Sequence, residues 1–116
     1  MNYADALALI KTEFETRFDS SHSEVIRTGY TYDGCNGFCL CLYDLGDRAI
    51  LTDMGETAQF FSEVTDEEWG EFCAAVPGFR FNHWHIEHEI NDIQDVYDFI
   101  GFLDEISDKF FLLDDE

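Results

Sequence analysis

His83 and His85 stand two apart in the run Phe79 to Ile90, and on a strand that spacing sends both imidazoles to one face. Two imidazoles side by side are the beginning of a Zn²⁺ or Ni²⁺ site. Glu87 and Glu89 continue that face, and Cys39 and Cys41 share a face of another strand, so a composite site would draw on both. The spacing sets no third or fourth ligand, and polar residues on the solvent side of a half-buried strand are the simpler reading. His88 falls with Trp84, Ile86 and Ile90 on the opposite, apolar face, where a hydrogen-bonded core histidine is expected rather than a ligand.

The turn Asp53-Met54-Gly55-Glu56 offers two carboxylates to a hard cation, but a Mg²⁺ or Ca²⁺ site needs more oxygen ligands than that. Asp53 is expected to cap the following helix, with Gly55 supplying permissive backbone geometry. Cys35, Cys39, Cys41 and Cys73 contain no CxxC pair, and small buried thiols account for them. A Cys–His nucleophile would assemble in space rather than along the chain, and nothing in the sequence raises it. P-loop, GxGxxG, GxSxG and HExxH signatures are absent. No metal, cofactor or catalytic residue is therefore expected. A small metal-dependent enzyme ranks third among the readings.

These residues need elements to position them. Tyr3, Leu7, Ile10, Phe14 and Phe18 recur at three- and four-residue steps behind Asn2, a suitable N-cap, which predicts a first helix. Glu24 to Tyr32, Gly37 to Asp44 and Arg48 to Thr52 are β-rich, with turn-forming Asp33-Gly34 and Gly46-Asp47 between them. They predict an antiparallel meander. Thr57 to Val64 reads as a short helix. Thr65 with Glu68 forms a capping box for a helix from Asp66 to about Val76, stopped by Pro77-Gly78.

Phe79 to Ile90 alternates and reads as one fourth strand. Asn91 with Gln94 caps a final amphipathic helix carrying Ile93, Val96, Tyr97, Ile100, Leu103, Ile106 and Phe110. The expectation is one α+β domain over residues 1–116. It holds a mostly antiparallel sheet of about four strands, covered by N- and C-terminal amphipathic helices.

The segment Leu51-Thr52-Asp53-Met54-Gly55-Glu56-Thr57, entered from a strand and left into a helix, resembles the signature of the bacterial and phage family catalogued as domain of unknown function 1828. Gly78-Phe79-Arg80-Phe81 through Ile86 looks like that family's short later strand, and Ile93 to Phe110 like its final helix. The resemblance implies a fold and a prokaryotic or viral setting, and no activity. This chain is more acidic than a typical member.

Acidity is the outlying property: 26 Asp and Glu face 6 Lys and Arg, for a formal charge of −20. Twelve Phe, five Tyr and two Trp set the chain apart from disordered acidic segments. Such a charge repels nucleic acid and anionic lipid, so direct contact with either, or with a membrane, is not expected. The N-terminus lacks a basic region before its apolar residues, and no run approaches the length of a membrane span. A cytoplasmic protein with free thiols is expected.

The acids concentrate in the second half, where sixteen face two bases, against ten and four in the first. Glu67, Glu68 and Glu71 on one helix and Asp95, Asp98, Glu105 and Asp108 on the last are the expected partner-binding residues. Spaced carboxylates on a rigid surface imitate a phosphate backbone. The expected function is therefore that of a non-enzymatic phage-type inhibitor, an anti-CRISPR-like nucleic-acid mimic. Its partner is a basic surface of a DNA- or RNA-binding protein. The alternative is a bacterial accessory or regulatory interaction domain without mimicry. Halophile adaptation would give the same composition, and exposed aromatics leave room for a homodimer.

Overall fold

Asn2 opens the first helix as its type predicts, its side chain accepting a hydrogen bond from the Asp5 amide at 2.8 Å. That helix, α1, spans Tyr3–Lys11 and buries Ala6 and Ile10. In this computed structural model, which describes residues 1–19, 23–31 and 37–114, the chain then turns at Thr12. It continues as an edge strand, β1 (Glu15–Asp19). The helical spacing of Phe14 and Phe18 is thus a coincidence of the next element. Phe14 packs at the margin of the core, while Phe18 stands on β1 with 64% of its surface exposed.

Three of the expected strands follow: β2 (Ser23–Thr31), β3 (Gly37–Asp44) and β4 (Ala49–Thr52). The β3–β4 turn uses Gly46 at φ +88°, with the Gly46 amide donating to Asp44 Oδ1. The Asp33-Gly34 turn and Cys35 lie outside the described residues. After β4 come α2 (Glu56–Phe60) and α3 (Asp66–Ala74). The Thr65–Glu68 capping box is present in both directions.

The expected fourth strand is a hairpin, β5 (Phe79–Asn82) and β6 (His85–Glu89). His83 and Trp84 both take left-handed backbone angles, φ +48° and +74°. Two positive angles in succession make the tight turn whose twist suits a two-residue hairpin. His83 and Trp84 therefore leave the strand faces assigned to them, and Trp84 is 55% exposed.

The last helix, α4, runs Ile93–Asp114. Its cap is one residue later than expected: the Asn91 and Asp92 amides both donate to Asp95 Oδ2, at 2.7 and 3.0 Å. Asp95 reaching back to the Asp92 amide supplies one arm of the box, in place of Gln94 reaching back to Asn91. The side chain of Phe110 lies outside the described ones.

Among the described residues the antiparallel sheet expected at about four strands has six, in the order β1-β2-β3-β4-β6-β5, with every neighbouring pair antiparallel. One face carries Ile26, Leu40, Leu42, Leu51 and Ile86 and packs beneath the helices. There α1 contributes Ile10, and α4 contributes Val96, Phe99, Ile100, Leu103 and Ile106. Trp69 of α3 stacks on Phe81 of β5 at 6.2 Å between ring centroids. Phe99 and Phe102, both buried, widen the apolar stripe of α4 beyond the expected positions. No helix among the described residues is long and apolar enough to cross a membrane.

Candidate functional site

Strand alternation divides the side chains that could do chemistry between two sides of the sheet. The open side carries Arg17, Arg27, Cys39, Cys41, Arg80, His85, Glu87 and Glu89 by register. All four arginines of the chain gather there. Arg27 meets Glu15 at 3.7 Å, Arg48 meets Glu89 at 3.7 Å, and Arg80 meets Glu87 at 2.9 Å. These pairs are exposed and individually weak. They nonetheless match charges locally on that face.

The Asp53 turn is a structural joint. Asp53 is 1% exposed, and its Oδ1 accepts from the Gly55 and Ile86 amides at 2.9 Å each. Its Oδ2 accepts from the Thr57 amide at 3.2 Å. Three amides on one carboxylate leave little for a cation. They extend the expected capping role, because the Ile86 bond also ties the turn to β6. Gly55 takes φ +79°, and a Cβ there would lie 3.3 Å from His85 Cδ2 and 3.4 Å from the Trp84 carbonyl.

Around this joint burial shifts titratable groups toward their neutral forms. Burial raises the pKa of Glu56, and the Asp53 charge adds to it. Burial likewise pushes the Cys73 thiol up to about 12, again helped by Asp53. Cys39 is raised by burial and then by Glu56, with Arg27 and Arg17 opposing. Cys41 is buried and donates toward Met54 Sδ. Cys39, Cys41 and Cys73 form no disulfide, and Cys39 and Cys73 have raised pKa values, the opposite of an activated nucleophile. His83, on its turn, does not share a strand face with His85, so the two imidazoles do not stand side by side.

The helical side holds the one histidine that the sequence placed in the core. His88 is 9% exposed, and its ring stacks on Phe79 at 4.2 Å. Its Nδ1 lies 3.0 Å from the Gly78 carbonyl and its Nε2 lies 3.3 Å from Asp95 Oδ1. Asp98 stands one turn further along α4, and ligand atoms of His88, Asp95 and Asp98 lie within 4.8 Å of one another. The cluster opens into a groove of about 460 Å³ between α4 and the segment after α3, bordered by Val76, Pro77, Phe102, Asp98 and Glu105. Sequence reasoning missed this grouping because His88 reads as core. The available signal was the three-residue step from Asp95 to Asp98, which places both on one helix face.

Of the seven expected partner residues, Asp98 and Glu105 line this groove, and Asp95 stands behind it against His88. Glu67, Glu68 and Glu71 are exposed on α3, and Asp108 is exposed on α4. Two of the seven have structural duties as well. Glu68 Oε1 accepts from the Thr65 amide at 3.2 Å and from its hydroxyl at 3.0 Å, and Asp95 caps α4. The α3 and α4 helices approach where Lys109 Nζ lies 4.4 Å above the Phe72 ring. No family model, curated protein or solved structure matches the chain.

Proposed function

We propose that this chain is a non-enzymatic acidic binding domain, a phage-type inhibitor whose α3 and α4 carboxylates occupy a basic groove of a DNA- or RNA-binding protein in the cytoplasm. The observation that carries the reading is the partition of charge. The four arginines lie on the open sheet face, three of them against glutamates. Glu67, Glu71, Asp98, Glu105 and Asp108 stand exposed on the helical side, where Lys109 is the basic residue that touches α3. A rigid surface of one sign steers a partner of the other and suppresses wrong ones. The resemblance of residues 51–57 to a bacterial and phage family is consistent with the setting.

The test is capture of partners from bacterial lysate, followed by binding assays with each purified partner. The expected partner binds nucleic acid, is displaced by double-stranded DNA, and is released steeply as salt rises. The triple variant Glu71→Lys, Asp98→Lys, Glu105→Lys should lose binding, whereas Glu15→Lys, Asp47→Lys, Glu89→Lys should retain most of it. Equal losses from the two triples would reduce the effect to net charge and sink the reading. The apolar border of the groove, Val76, Pro77 and Phe102, favours the second reading of a regulatory interaction domain. Binding there would persist in excess DNA and at high salt.

A further inference from the structure

We infer that His88, Asp95 and Asp98 form a binding site for a divalent transition-metal cation of the Zn²⁺ type at the head of the α4 groove. The inference does not rest on the proposed partner. It begins with the Gly78 carbonyl, which can only accept, so the 3.0 Å contact places a proton on His88 Nδ1. Nε2 then faces Asp95 Oδ1, and in the neutral ring it offers its lone pair on that side. Locking one ring nitrogen to a backbone carbonyl while the other faces carboxylates is the outer-shell arrangement of metal-binding histidines.

The His88–Asp95 pair lies within ion-pair range, and its spacing is also that of two ligands about one cation. A charge-assisted N–H···O bond closes to about 2.7–2.9 Å, whereas Nε2 and Oδ1 stand 3.3 Å apart. Two ligands of a tetrahedral ion bound at about 2.0–2.1 Å are separated by about 3.3 Å. Phe79 stacks on the ring at 4.2 Å and Phe99 meets it edge-on, so its plane is fixed by its neighbours. Asp95 is held as firmly: its Oδ2 takes the Asn91 and Asp92 amides, which leaves Oδ1 for the cation.

Asp98 supplies what an ion pair would not need, a second carboxylate one helical turn on, within 4.8 Å of the other ligand atoms. It is exposed, and Gln94 Nε2 donates to its Oδ1 at 3.0 Å, which leaves Oδ2 for a cation. The groove gives the remaining coordination position access to water. One imidazole nitrogen and two carboxylate oxygens suit a borderline cation better than Mg²⁺ or Ca²⁺, which favour all-oxygen shells.

The test starts from chelator-treated full-length protein titrated with Zn²⁺, and with Co²⁺ as a visible-absorption probe. One saturable equivalent is expected. Long-range ¹⁵N NMR should show the His88 Nε2 resonance shifting on Zn²⁺ addition while Nδ1 keeps its proton. His88→Gln should abolish the saturable equivalent. Asp98→Asn, at an exposed position outside the cap, should stay folded and bind at least about tenfold more weakly. Weak loading at many sites, equal in wild type and Asp98→Asn, or an Nε2 resonance that ignores Zn²⁺, would overturn the inference.

Discussion

Asp53 and Ile86, 33 residues apart, hold each other at both ends: the Asp53 amide donates to the Ile86 carbonyl at 3.3 Å, and the Ile86 amide donates to Asp53 Oδ1 at 2.9 Å. The pair joins the turn after β4 to the start of β6. Asp53→Ala removes the acceptor for three amides in a site that is 1% exposed. A buried donor left without a partner costs about 1–3 kcal/mol, so the loss should exceed the ~1 kcal/mol of an ordinary cap. Urea denaturation should show about 3 kcal/mol, and partner affinity should be unchanged wherever the variant is folded. A cost within that of an ordinary cap would mean that the Ile86 bond contributes little.

Gly78 and Gly46 separate backbone strain from contact. Their φ angles are +86° and +88°, yet a Cβ on Gly78 would fall 2.9 Å from His88 Cε1 and 3.1 Å from Nδ1, while one on Gly46 meets nothing within 4 Å. Gly46→Ala should cost the left-handed penalty alone, about 1–2 kcal/mol. Gly78→Ala should cost clearly more and should displace the His88 ring, read as a changed imidazole chemical shift. Equal costs would show that the ring yields freely.

Cys73 gives stability a slope at high pH. Its thiol is pushed from an ordinary 9.0 to about 12 in the folded chain, so the unfolded chain releases this proton first. Cys73 therefore contributes stability that is complete below about pH 9 and is lost as pH rises toward about 12. Tyr3 and Cys39, both raised chiefly by burial, act in the same sense. Urea midpoints measured upward from pH 8 should fall, and the fall should shrink in Cys73→Ala. An identical slope in the variant would remove Cys73 as its source.

The His83-Trp84 turn invites replacement. Both residues hold positive φ, a conformation that Asn-Gly adopts with less strain. The double variant His83→Asn, Trp84→Gly should stabilise the β5–β6 hairpin by roughly 1 kcal/mol, seen as a higher denaturation midpoint. A loss instead would indicate that the Trp84 side chain packs usefully against the Gly55 turn.

Where residue type and geometry act locally, the sequence was readable. Asn2, the Thr65–Glu68 box and the turn at Gly46 all stand where their chemistry places them. It misled where two periods overlap. Phe14 and Phe18 continue a four-residue step past Lys11, yet antiparallel pairing of Thr16 with Ile26 and Arg17 with Val25 draws that segment into the sheet. The hairpin at His83 was concealed because neither residue is glycine, although histidine tolerates left-handed angles better than most. The site was less readable than the fold. His88 and Asp95 are seven residues apart and meet across the short connection from β6 to α4, whose turning angle the residue types do not announce.

The arginines on one side of the sheet and the exposed helix carboxylates on the other give this strongly anionic molecule a permanent electric dipole in addition to its net charge. In the field of a basic surface, the net charge draws the molecule closer while the dipole turns it, helices leading, before any atoms touch. The same torque would make the protein adsorb to a cationic support in one preferred pose, with the open sheet and its arginines facing the solvent.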